Sequence, residues 1–275
     1  MKTHGKFEIA ALYSLIFICL MTTLLPFVWM LSTSLKDSGE IYTKTPVFIP
    51  NQPTLDHYRE LFYKVNFMGH FINSLIVALG LTTLSIIVNA LAGYAFAKQS
   101  FPGKENLFTL LLLTMMIPGQ VTMMPVFLIL RSLGFLNSYW GLIIPGSASV
   151  FAIFMLRQFM SEIPNELLDA ARIDGAGELR IFWSIMLPLC KPVIATLIIF
   201  NFMGSWNEFL WPLIIMLKEE MYTLPVALAN LNGQHNTEWG LLMAGSVVVV
   251  VPVIFLFLSV QKYYIKGIAA GAVKG

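Results

Sequence analysis

Charge is what this sequence has least of. Only 12% of its 275 residues are Asp, Glu, Lys or Arg, about half of the ~25% usual in soluble chains, while 57% are hydrophobic. That balance excludes a water-soluble globule and indicates an integral membrane protein. Cysteine is nearly missing too. Cys19 and Cys190 both lie in or beside apolar stretches, so no disulfide framework follows. The basic residues form no run, and a net charge of +2 gives no reason to expect a nucleic-acid partner. The metal and nucleophile patterns H-E-x-x-H and G-x-S-x-G do not occur. Gly103-Lys104 is followed by Glu105 and has Lys98 where a phosphate-binding loop needs its first glycine, so that route to ATP is closed. Any energy for moving a solute must come from a partner or an ion gradient.

Long apolar runs are what the sequence does have. Residues 9–31, 70–97, 106–130, 139–156, 193–217 and 240–260 read as six spans, each near the ~20 residues a bilayer requires. The third is interrupted by Pro118-Gly119 and Pro125, which allow a bend. A signal peptide is the rival reading of the first, but the run is too long for that and no clean A-x-A site follows. With the N-terminus inside, eleven of the 17 Lys and Arg fall in inside segments and six in outside loops. The positive-inside rule therefore places both termini, and the loop after the fourth span, in the cytoplasm.

That loop, residues 161–192, holds most of the polar chemistry. It carries Glu162, Glu166, Asp169, Asp174 and Glu178 beside Arg172, Arg180 and Lys191. Pro164 suits the first turn of a helix. Leu167, Ala170, Ala171 and Asp174 fall on one side at helical spacing, and Glu166, Asp169 and Arg172 on another. Gly175 stands where a left-handed residue would end the helix. A second helical run from Glu178 to Met186 leads back toward the membrane. The spacing predicts a short amphipathic docking helix.

Here a resemblance becomes specific. Asp169-Ala170-Ala171, Gly175 after three intervening residues, and Ile185-Met186-Leu187-Pro188 after nine more resemble the EAA loop of ABC importer permeases. The longer form, Glu166-Leu-Leu-Asp-Ala-Ala with Ile173-Asp174-Gly175-Ala176, is similar to the carbohydrate-uptake, maltose-type branch and its shorter permease. Asp169 stands where the family more often has Glu. The resemblance implies an all-α fold: six transmembrane helices and one cytoplasmic coupling helix, in a single domain over residues 1–275. It implies that Glu166, Asp169, Ala170, Ala171, Asp174 and Gly175 couple the chain to an ATPase. Implied partners are a second permease, a dimer of ATPase subunits, an extracytoplasmic solute-binding protein and the lipid bilayer. ATP and magnesium would be bound by the ATPase and no cofactor or metal by this chain, which would not be an enzyme. The location implied is a bacterial inner membrane.

The fifth span holds Asn201, Trp206, Asn207, Glu208 and Trp211, and a polar group inside a membrane needs a reason. The run W-N-E-F-L-W-P is similar to one in sugar-transporter permeases. Either Trp206 and Trp211 belong to an interfacial belt with Glu208 reaching the headgroups, or Asn207 and Glu208 face the pathway or the partner permease; Asn201, Trp206, Asn207 and Glu208 are the candidates for that role. Asn73 and Asn89 are expected to bond between helices. The glycine-containing C-terminal tail, with Lys266, Gly271 and Lys274, resembles one that reaches the ATPase interface; otherwise it is a frayed end. The function implied is import of a sugar or oligosaccharide, with glycerol-3-phosphate or a polyol as the alternative cargo. A self-contained secondary transporter would leave the docking loop unexplained.

Overall fold

The computed structural model describes residues 6–43, 45, 47–231 and 238–272, with backbone alone at 6–8, 64, 260 and 262–272. The fold is helical, as expected. Two long membrane-length helices are α1 (Lys6–Ser34) and α2 (Phe67–Lys98). Two bent pairs follow, α3 (Lys104–Thr114) with α4 (Gly119–Ser132), and α5 (Tyr139–Ser147) with α6 (Val150–Ser161). After the short α7 (Glu166–Ile173), α8 (Glu178–Ile181) continues through a π turn to Leu189 and pairs with α9 (Lys191–Trp206). Then come α10 (Leu210–Ile215) and a third long helix, α11 (Trp239–Ala272). Counting each bent pair as one span gives six.

The bends have local causes. Pro118 is extended, at φ −58° and ψ 132°, and α3 and α4 meet at 102° around it. Neither half alone reaches the ~20 residues of a bilayer crossing. The α5–α6 pair bends by 44° at 147–149, and there Asn89 of α2 closes the break. Its Nδ2 donates to Ser147 O at 3.0 Å and its Oδ1 accepts from Ser149 N at 3.0 Å. Backbone groups opened inside a bilayer must find such partners. Asn73 does the same elsewhere, donating to Glu220 O at 2.7 Å and accepting from Tyr139 OH at 2.7 Å. Both asparagines make the bonds between elements that the sequence suggests.

Two span boundaries differ from expectation. The fifth apolar run is not one helix over 193–217, because α9 stops at Trp206 and α10 begins at Leu210. The polar residues themselves make the break. Asn207 donates from its backbone N (3.1 Å) and its Nδ2 (2.8 Å) to Met203 O, and Glu208 Oε1 accepts from Trp211 N at 3.3 Å. Side chains that bond the nearby backbone compete with helix continuation. The last helix, by contrast, runs on to Ala272, well past the expected end of the sixth span at 260. Gly267 and Gly271 each cost only about 1 kcal/mol in a helix, and Lys266, Ala269, Ala270 and Ala272 around them favour it.

Contacts divide the chain into two compact units. One comprises Met1–Met68 with Leu228–Val251, the other Gly69–Ala227 with Pro252–Gly275. In the first, α1 presents Leu, Ile and Phe on all sides, exposed along most of its length, as a helix facing lipid does. In the second, Ala90, Tyr94, Leu156, Met160, Phe182, Met186 and Leu197 form a core joining the end of α2 to α6, the π turn and α9. Gly93 is required there, since a Cβ would lie 2.8 Å from Leu156 Cβ and 3.2 Å from Arg157 N. Small residues let membrane helices approach this closely.

Candidate functional site

The helix expected to dock, α7, is anchored on one side only. Leu168 is 1% exposed and joins the core, with Ile163, Ala171 and Ala176 packed beside it. Away from that anchor, Leu167 is 48% exposed and Ile173 86%. Leu167 and Ala171, one turn apart on the same side, differ in burial: Ala171 is half-buried at the edge of the core and Leu167 is exposed. Leu168 is the anchor the sequence reading missed, hidden because two adjacent leucines offer two registers. Glu166, Asp169, Ala170 and Asp174 are exposed.

Gly175 ends α7 as expected. Its φ is +82°, its N–H donates to Arg172 O at 3.0 Å, and Ala176 N donates to Ala171 O at 2.9 Å. This is the six-to-one and five-to-two pairing of a Schellman stop. A residue with a Cβ is strained at such a φ, although no atom lies within 4 Å of where that Cβ would stand.

A polar chain then ties α7 to the end of α2. Arg172 donates from its η-nitrogen to Asp169 Oδ1 at 2.8 Å and from Nε to Glu178 Oε1 at 2.9 Å. Hydrogen bonds to Glu178 and then Asp169 raise the already high pKa of its guanidinium. The other oxygen of Glu178 accepts from Tyr94 OH and from Gln99 Nε2, both at 2.6 Å. One turn away, Lys98 Nζ donates to Ile163 O at 2.6 Å and to Asn165 Oδ1 at 2.7 Å. These contacts hold both ends of the loop to one helix, so α7 and the end of α2 form one mechanical piece.

The second group of candidates divides. Asn201 and Glu208 line a cavity of about 490 Å³, together with Gln120, Thr122, Ser205 and Trp211. Asn201 Nδ2 also donates to Ser85 Oγ at 3.1 Å. Trp206 lies elsewhere: it is fully buried, stacked on Phe202 at 5.5 Å and edge-on to Phe71 at 5.7 Å. Asn207 caps α9. Gln120 and Thr122 were missed because they follow the Pro118-Gly119 break, whose sharpness is not legible in the sequence. Among the described lining residues Glu208 is the carboxylate, and Lys, Arg and His are not represented. Lys266 and Gly271 lie on the last turns of α11, and Lys274 lies outside the described residues.

Residues 89–269 match the family described as binding-protein-dependent transport system inner membrane component. The arabinooligosaccharides transport system permease protein AraQ of Bacillus subtilis is 39% identical, over 92% of this chain and 91% of its own. The sn-glycerol-3-phosphate transport system permease protein UgpE of Yersinia enterocolitica is 36% identical, over 71% of this chain and 70% of its own. A chain in a crystal structure of a bacterial ABC transporter that imports the acidic polysaccharide alginate superposes with a TM-score of 0.87. It is 24% identical and the match covers 96% of this chain and 100% of that one.

Proposed function

This chain belongs to the family of binding-protein-dependent transport system inner membrane components, and from that membership we propose how it works as the sugar-transporting permease of an ABC importer. It carries a sugar or oligosaccharide across the membrane and depends on a solute-binding protein for delivery. A second permease completes the pathway and a dimer of ATPase subunits supplies the energy, so no covalent step takes place on this chain. Both termini and α7 face the cytoplasm, the side on which the lysine and arginine residues concentrate.

The observation that carries this reading is the two-sided character of α7. Leu168 is buried in the permease while Leu167 and Ile173 are exposed, leaving two large apolar side chains free for a cleft in the ATPase. Glu166, Asp169, Ala170, Ala171, Asp174 and Gly175 form or end this helix and make the coupling contacts. Closure of the ATPase dimer on ATP moves α7 as a lever, and the ties through Glu178 and Lys98 pass that movement to α2. The membrane helices then switch from inward- to outward-facing. Lys266, Gly271 and Lys274 make a second approach to the ATPase.

Asn201 and Glu208 stand on the solute pathway. A carboxylate, amides, hydroxyls and an indole suit a hydroxyl-rich neutral solute, and a phosphate would meet the Glu208 charge with no cation among the described lining residues. The sugar is therefore favoured over glycerol-3-phosphate. The test is recovery of the ATPase with affinity-purified permease. Ile173→Asp should lose most of the attached ATPase and Asp169→Lys should act similarly, while both variants still insert. Normal recovery of ATPase with both would overturn the coupling assignment.

A further inference from the structure

At the end of α1 the chain buries a cation. Lys36 is 2% exposed and its Nζ stands 4.1 Å above the Trp29 ring. Among the described residues no carboxylate pairs with it. Three positions earlier, Thr33 is 5% exposed and its hydroxyl has no hydrogen-bond partner. Both residues line a cavity of about 280 Å³ whose walls include Trp29, Glu40, Tyr42 and Trp239. Glu40 Oε1 accepts from Asn51 N at 3.1 Å and from Asn51 Nδ2 at 2.9 Å, which fixes the carboxylate in the wall.

A buried ammonium is costly unless paired, and the ring beneath it compensates only in part. A buried hydroxyl without a partner is costly as well. Two donors thus line one cavity, and the oxygens of an anion would satisfy both. The setting narrows the choice of anion. Lys36 follows directly on a membrane-length helix whose Leu24, Val28 and Leu31 are exposed, so the cavity opens where acyl chains end and headgroups begin. Indoles such as Trp29 and Trp239 concentrate at that level. Among the described residues the lining offers one cation and one carboxylate, Lys36 and Glu40. That pair complements a headgroup bearing both a phosphate and an ammonium, whereas a purely anionic headgroup would be repelled by Glu40.

We infer that this cavity holds the headgroup of a zwitterionic aminophospholipid, its phosphate on Lys36 and Thr33 and its ammonium toward Glu40. The acyl chains lie along the exposed side of α1. The assignment is independent of which solute the importer carries.

The experiment is native mass spectrometry of the full permease purified with its partner subunits. Samples are exchanged into nanodiscs of phosphatidylethanolamine, phosphatidylcholine or phosphatidylglycerol. The wild type should retain phosphatidylethanolamine in preference to the other two. Lys36→Met should reduce that retention about tenfold or more, as loss of a charge-assisted contact implies. Thr33→Val, of matching shape, should reduce it several-fold, and Glu40→Gln should shift the preference toward phosphatidylglycerol. Should Lys36→Met fail to assemble, Thr33→Val and Glu40→Gln decide the matter. Equal retention in those two variants and the wild type would overturn the site. If inorganic phosphate alone displaces the lipid and occupies the cavity equally well, it is a free-anion site and the lipid assignment falls.

Discussion

Tyr94 and Glu178 are joined by a hydrogen bond of 2.6 Å across 84 positions of sequence. Tyr94 lies near the end of α2 and Glu178 opens α8, so the bond binds the docking loop to a long membrane helix. The same carboxylate also holds Arg172 of α7. Glu178 thus bridges α7 and α2 through one side chain, beside the separate tie that Lys98 makes to Ile163 and Asn165.

Tyr94→Phe should uncouple the ATPase without releasing it. The lost bond is worth about 1 kcal/mol, kept at the low end because the Glu178 side chain is 46% exposed. In proteoliposomes, stimulation of ATPase activity by loaded binding protein should fall several-fold at unchanged attachment. Glu178→Gln should act in the same direction and more strongly, since it also weakens the pairing with Arg172. Full stimulation in both variants would show that the tie does not transmit the movement.

At Gly175 the backbone decides the outcome. With φ at +82°, a β-branched residue adds about 1 kcal/mol or more of strain. Gly175→Val should insert normally yet recover less ATPase. Gly175→Asn should be the milder variant, because Asn tolerates this conformation better than other side chains. Equal loss in both would point to contact at the glycine rather than to strain. Arg180→Gln, which disturbs neither the stop nor the Arg172 pairing, should have little effect.

Leu168 and Leu167 are neighbours with opposite consequences. Leu168→Ala removes a side chain that is 1% exposed, at a cost of about 3 kcal/mol. The thermal midpoint in detergent should drop and the yield of monodisperse protein with it. Leu167→Ala should leave the midpoint unchanged and lower only ATPase recovery. A stability loss at Leu167 matching that at Leu168 would mean that the exposed side of α7 is packed within the permease.

Glu208→Gln tests the pathway. Transport should fall while the complex assembles and its basal ATPase persists. Normal transport would mean that the carboxylate serves only to start α10, through its bond to Trp211 N.

The orientation is open to labelling in a background carrying Cys19→Ala and Cys190→Ala. Ser100→Cys should react with a membrane-impermeant maleimide only from the cytoplasmic side. Tyr63→Cys, at a position 88% exposed, should react only from the opposite side. Reversed labelling would invert the topology and remove α7 from the ATPase side.

Local signals were readable and long-range ones were not. The stop at Gly175 could be read from the sequence because a glycine after an amphipathic run has one dominant use. Asn73 and Asn89 could be read as bonding residues because an amide inside a bilayer must find partners. The break after Trp206 was hidden by its own cause: Asn207 and Glu208 read as polar groups of a continuous span, and in the fold one caps α9 and the other starts α10. Which of two adjacent leucines anchors α7 depends on a core drawn from α6, α9 and the π turn. No local pattern encodes the approach of Tyr94 to Glu178.

The Asn89 contact also bears on biogenesis. A bent helix pair entering a membrane carries open backbone groups that hydrocarbon cannot satisfy. Asn89 closes those at Ser147 and Ser149, and it lies 58 and 60 residues ahead of them. During synthesis from the N-terminus it is therefore already in the membrane when the α5–α6 break arrives. The break is matched by a partner made earlier, and this span can settle before the rest of the chain leaves the ribosome.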